Sequence, residues 1–184
     1  MSQLSYSAAN AKEQAKQYVA SLLKLLGTRD PLEVMAETPG KLRQAVAGLT
    51  AAQDGTRERA GKWSVRHVVQ HLADSELVGA FRFRMILAHD APELPGYDQD
   101  LWADRLRYEG CDLATSLDDF AMLRAANLRL LGSTAPADFN RVMHHAERGD
   151  ESLEETIPLY AGHDLLHLAQ VRRIRAALGA PAPD

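Results

Sequence analysis

Hydrophobic residues recur along this chain at helical spacing, and runs that alternate like a strand are scarce. From Ser7 to Leu26, Val19, Leu22, Leu23 and Leu26 share one stripe, and Gly27 is placed to stop the helix. Asp30 then has the form of an N-cap, with Pro31 at the first helical position and Glu33 in the first turn. Thr38-Pro39 repeats that device and predicts a fresh helix with Leu42, Ala45, Val46 and Leu49 turned inward. Residues 50–62 are small, polar and punctuated by glycine, and read as a loop. Ser64 caps a long helix to about Ala88, with Val65, Val68, Leu72, Leu77 and Phe81 as core positions. Trp63 is set to staple onto Val68.

The second half repeats the theme. Asp90 to Gly96 is turn-rich, and Tyr97 to Gly110 predicts a loop with one short helix around Trp102. A helix from Leu113 or Ser116 to Leu131 would bury Leu117, Phe120, Leu123 and Leu130. Thr134 to Asp150 is a connection with an extended piece at Phe139 to Met143. Ser152-Leu153-Glu154-Glu155 has capping-box form, and Pro158 predicts either a start at Thr156 or a kinked first turn. This last helix ends at Gly179, leaving residues 179–184 as a frayed tail. Long helices with connections of mixed length predict an all-α fold: an antiparallel four-helix bundle, one domain over residues 1–184, its first 28 residues or so an added helix.

Composition narrows the function. A chain of 184 residues, 46% hydrophobic, suits one full-sized core. A net charge of −4 with dispersed Lys and Arg argues against a nucleic-acid partner. Glycine-rich phosphate loops are absent. The single cysteine, Cys111, permits no internal disulfide, and no signal-like N-terminus or bilayer-length apolar run occurs, so a cytoplasmic setting away from membranes is expected. Cys111 itself has no placed base and reads as inert.

The candidate chemistry lies in histidines. His163 and His167 are four residues apart, on one face of the last helix, and that face continues through Tyr160, Gln170, Val171 and Ile174. Facing helices of a bundle can each offer ligands inward. The Ser64 helix offers His67 and His71, also four apart; His71, one turn after Val68, lies on the buried side and is the better third ligand. Carboxylates or hydroxyls that could orient these rings are Asp74, Glu76, Asp164 and Tyr160, with Asp164 pointing roughly 100° from His163. For the acids a solvated surface position is the simpler expectation. Arg82 and Arg84, interleaved with Phe81 and Phe83, read as surface salt-bridge residues.

Two stretches carry a family resemblance. Trp63-Ser64-Val65-Arg66-His67-Val68-Val69-Gln70-His71-Leu72-Ala73-Asp74-Ser75-Glu76 resembles the first signature of the DinB-like four-helix-bundle superfamily, and Gly162-His163-Asp164-Leu165-Leu166-His167-Leu168-Ala169-Gln170 resembles its second. The similarity spans about Pro31 to Ile174. It implies one divalent metal ion held by His71, His163 and His167, while His67 falls where such proteins often carry Glu or Gln. His144-His145-Ala146-Glu147-Arg148-Gly149 resembles a loop segment before their final helix, which makes His145, with His67, a pocket candidate.

Three neutral imidazoles leave an open coordination position, the pattern of a catalytic zinc site; nickel, manganese or iron would also accept imidazole. Such a centre activates water or a thiol. The resemblance therefore implies a metal-dependent hydrolase, or a transferase using a low-molecular-weight thiol, acting on a small molecule. Glu76-Leu77-Val78-Gly79 stands where the bacillithiol-type transferases carry a further polar run, a departure from that subtype. The competing expectation is a non-catalytic, stress-associated module with a structural metal. A homodimer through bundle helices is compatible with either.

Overall fold

The structure, a computed structural model, describes residues 8–146 and 148–180. Three of the expected caps, Asp30, Ser64 and Ser152, open helices. Asp30 accepts from the backbone of Leu32 and Glu33 to open α2 (Pro31–Val46), after α1 (Ala8–Leu26) has ended at Gly27. Ser64 opens α4 (Val65–Ala88), and Ser152 with Glu155 forms a capping box on α7 (Leu153–Ala177). Asp112 caps α6 (Leu113–Gly132). Short helices α3 (Ala51–Gly55) and α5 (Gln99–Arg105) lie in the connections. The start at Ser7 and residues 181–184 lie outside the described residues.

The expected bundle is formed by α2, α4, α6 and α7, with α1 packed outside on α7. Its neighbours are of two kinds. Arg43 meets Asp118 while Met35 meets Arg124, so α2 and α6 run antiparallel. His71 meets His163 while Gly79 meets Tyr160, so α4 and α7 do too. Gln70 pairs with Ser116 and Arg84 with Asn127, which makes α4 and α6 parallel. Thr38 lies beside Asp164 and Ala45 beside Arg175, which makes α2 and α7 parallel. Parallel neighbours cannot be joined by a short turn, and this accounts for the long connection between α4 and α6.

The connections carry a small three-stranded sheet that the helical periodicity does not reveal. β1 (Glu93–Leu94) pairs in parallel with β2 (Val142–His145), and β2 pairs antiparallel with β3 (Gly149–Ser152). The extended piece expected near Phe139 thus begins a few residues later, after a 3-10 turn over Pro136–Asn140. The loop expected over residues 50–62 contains α3, capped by Thr50.

Apolar packing forms two clusters, one around Leu42, Val68, Leu72, Phe120 and Ile174, the other around Met35, Phe83, Ile86, Leu131 and Ile157. Between them Thr38, Glu76, Arg124, Asn127 and Asp164, all buried, make a polar layer across the bundle helices. Several core expectations are overturned here. Leu77 and Phe81 are 53% and 55% exposed, because α4 turns Glu76, Gly79 and Phe83 inward instead. Leu123 and Leu130 are only half-buried, while Arg124 and Asn127 take the inner stripe of α6.

Thr38-Pro39 does not start a helix; α2 runs through it. Proline at 39 leaves the carbonyl of Met35 without its helical donor. Arg124 Nη1 donates to that oxygen at 2.8 Å, so a residue of α6 completes α2. Pro158 likewise lies inside α7, and the acceptor it deprives, Glu154 O, belongs to an exposed first-turn residue that water reaches.

Candidate metal centre

The antiparallel contact of α4 and α7 brings His71, His163 and His167 together, and their ligating nitrogens all lie within 4.8 Å of one another. His163 Nε2 is 3.0 Å from His71 Nε2 and 3.1 Å from His167 Nε2. The rings meet edge to face, with centroids 4.4–5.0 Å apart. Burial pushes His71 down to about 3, with His167 adding to the effect, and burial takes His167 to about 4 against an opposing hydrogen bond from Gln170. His163 falls well below its usual value through burial, then through His167, His71 and Arg124. All three imidazoles are therefore neutral at pH 7.

These residues fit a cation. Gln170 Oε1 lies 2.8 Å from His167 Nδ1 and accepts its proton, which leaves His167 Nε2 as a bare lone pair facing His163. A single proton cannot satisfy three nitrogens turned toward one point, whereas one positive ion does. Nitrogens at about 2.0–2.1 Å from a tetrahedral zinc ion are about 3.3 Å apart, close to the spacing here.

Trp63 completes the wall, a role the sequence reading did not give it. It packs on the cluster that contains Val68, as expected, but its indole also lies 4.9 Å from the His71 ring and, nearly parallel, 6.5 Å from His167. His71 Nδ1 is buried with no hydrogen-bond partner, so packing against Trp63, rather than a carboxylate, sets that ring. Gln170 was legible on the inward stripe without a function. Its place three residues after His167 is the signal for one.

The acids do not orient the histidines, and two of the three are not solvated. Asp164 and Glu76 are 1% exposed. Both Asp164 oxygens accept from Arg124, at 2.5 and 3.0 Å; Glu76 accepts from Arg124 at 2.8 Å and from Asn127 Nδ2 at 2.7 Å. Burial raises the Asp164 carboxyl against the pull of Arg124. Asp74, half-buried, accepts from the Tyr108 hydroxyl and from Gln70. Tyr160 does face the pocket: it packs on Gly79, where a Cβ would stand 2.7 Å from its ring, and on Phe83.

His67 is buried outside the cluster, its Nδ1 2.8 Å from Ser64 Oγ and its Nε2 accepting from Arg57 at 3.1 Å. Both ring nitrogens are occupied, which removes it as a ligand. His145 is buried beside Arg82, whose Nη2 donates to it at 3.2 Å. Arg82 itself, expected on the surface, is 7% exposed. Cys111 is partly exposed, and burial raises its thiol pKa, consistent with an inert residue.

A cavity of about 410 Å³ opens over the three histidines. One wall is α1, through Tyr18, Val19 and Leu22, so the added N-terminal helix is part of the site. It approaches at Gly162, where a Cβ would stand 2.5 Å from Leu22 O. Among the described residues no helix is long and apolar enough to cross a membrane.

A family model described as the DinB superfamily matches residues 35–171. The "Putative metal-dependent hydrolase YfiT" of Bacillus subtilis is 32% identical over 149 residues, covering 80% of this chain and 84% of the relative. A Bacillus licheniformis protein of the same description is 34% identical, covering 79% and 83%. The solved structure of YfiT, described as a probable metal-dependent hydrolase with an unusual four-helix bundle topology, superposes with a TM-score of 0.76 at 28% identity, over 98% of this chain and 94% of that one.

Proposed function

The chain belongs to the DinB superfamily, and on that footing we propose that it is a metal-dependent hydrolase of a small molecule, with His71, His163 and His167 holding one divalent cation. The observation that carries this reading is the convergence of three neutral Nε2 atoms on one point with no acid among them. Zinc is the first choice, with nickel, manganese or iron as alternatives. When bound, the ion supplies Lewis acidity that makes a neighbouring water, or a low-molecular-weight thiol, a nucleophile at neutral pH. The relatives' descriptions favour water.

The protein's own residues do the rest. Gln170 fixes the His167 tautomer so that Nε2 points at the cluster. Trp63 packs against the His71 ring and holds it in place. α1 covers the cavity from the opposite side and shapes what enters.

Metal analysis of protein purified without added metal tests the reading. Wild type should hold roughly one ion per chain, and His71→Ala and His167→Ala less than about a tenth of that. Unchanged content in both variants overturns it. Metal-dependent turnover of hydrolysable esters or amides supports water as the nucleophile; conjugation of an electrophile only when a cellular thiol is added supports the thiol. A protein that turns over nothing and unfolds on chelation would be the structural module instead.

A further inference from the structure

The cavity carries an unbalanced charge at the end away from the histidines. Among the described residues two arginines and no acid line it, in a chain whose net charge is −4. Arg148 is neutralised by both oxygens of Glu151. Arg82 is not neutralised: it forms no ion pair among the described residues although it is 7% exposed. Its partners are neutral: the carbonyl of Pro95 at 3.0 Å, His145 Nε2 at 3.2 Å, and the Tyr160 phenol. Burial and the two nearby arginines keep His145 uncharged, at about 4. The nearby acids are engaged elsewhere, Asp74 by Tyr108 and Gln70 and Glu76 by Arg124 and Asn127.

A buried guanidinium with no counter-charge is costly and is expected to find an anion. Two N–H groups of Nη2 go to Pro95 and His145, so the remaining donors of the fork are available to Tyr160 and a ligand. The dication proposed at the histidines would add to the positive field, since its three ligands are neutral. Resting on that reading, we infer that the substrate carries a carboxylate, which Arg82 binds while the reacting group lies at the three histidines. One uncompensated cation among neutral donors suits a singly charged, planar carboxylate better than a phosphate dianion. Tyr160 lies one turn before His163 and meets Arg82, so it stands between the two ends of the substrate.

The test is calorimetric titration of the metal-loaded full chain with hexanoate and its neutral counterpart hexanamide. Wild type should bind hexanoate at least about tenfold more tightly than hexanamide. Arg82→Gln should abolish that preference with metal content unchanged, and Arg82→Lys should keep part of it. Metal-stripped wild type should still show the Arg82-dependent preference; this separates Arg82 from direct binding of the carboxylate to metal. Failure of the metal reading is read separately, from metal content. A preference that survives Arg82→Gln and vanishes on metal removal overturns the inference. So does the absence of any preference in wild type, whether both probes bind alike or neither binds. Tighter binding of hexyl phosphate than of hexanoate overturns the carboxylate assignment.

Discussion

Two buried polar clusters sit side by side on α4 and α7 and are built by opposite rules. Around Arg124 the groups answer one another: Asp164 and Glu76 supply carboxylates, Asn127 a further donor, and Met35 the carbonyl that Pro39 left free. Around His163 three nitrogens face one point and have only one another as partners there. Adjacent residues of α7, His163 and Asp164, serve one cluster each, because successive helical positions diverge by about 100°. The closed cluster ties all four bundle helices to one guanidinium and so fixes where α4 stands relative to α7. The open cluster depends on that registration. The supporting part is satisfied internally except at Arg124 Nε, which is buried without a hydrogen-bond partner while the guanidinium lies over the Phe120 ring; the binding part leaves three nitrogens turned toward one another.

The largest test of this contrast is Arg124→Met. It strands two buried carboxylates and should cost about 3–5 kcal/mol in urea denaturation. Metal-free His71→Ala should cost clearly less, and equal losses would erase the distinction. Next comes pH. Folded, metal-free protein holds His71, His167 and His145 neutral with values lowered to between about 3 and about 4, whereas an unfolded chain protonates them near 6.5. Their contribution is complete above 6.5 and is lost as pH falls from there toward 4. Denaturation of chelated protein should show a loss on the order of 2 kcal/mol per histidine between pH 7 and pH 5. A flat profile over that window would mean that the open cluster carries protons already. The smallest effect is Gln170→Ala, which frees the His167 tautomer. Competition with a chelating dye should show roughly tenfold weaker metal binding with little change in metal-free stability.

The three ligands were legible because their spacing and motif context are local. His163 and His167 lie one turn apart, and His71 is recognisable by its own stretch. What could not be read are the partners brought by tertiary packing. The 100° divergence of Asp164 from His163 was readable, but its burial was not, since Arg124 lies 40 positions away on α6. Hydrophobic patterning placed Leu123 inside because it has no way to credit an arginine paired to two acids in the adjacent position. Arg82 was missed for a related cause: its neutral hydrogen-bond partners come from β2, the loop at Pro95 and α7. The bundle was predictable from four amphipathic helices, whereas its parallel pairs depend on connections whose path no periodicity records.

The contact of α4 with α7 has a consequence for biogenesis. His71 and His163 are 92 positions apart in sequence, and two of the three ligands belong to α7, which is synthesised after the other three bundle helices. Closing so long a loop is a late event in folding. A growing chain on the ribosome presents His71 alone and has no competent metal site until α7 has emerged. Metal occupancy would then report on a chain synthesised through α7, and one interrupted before it would leave the ion in the cell's pool.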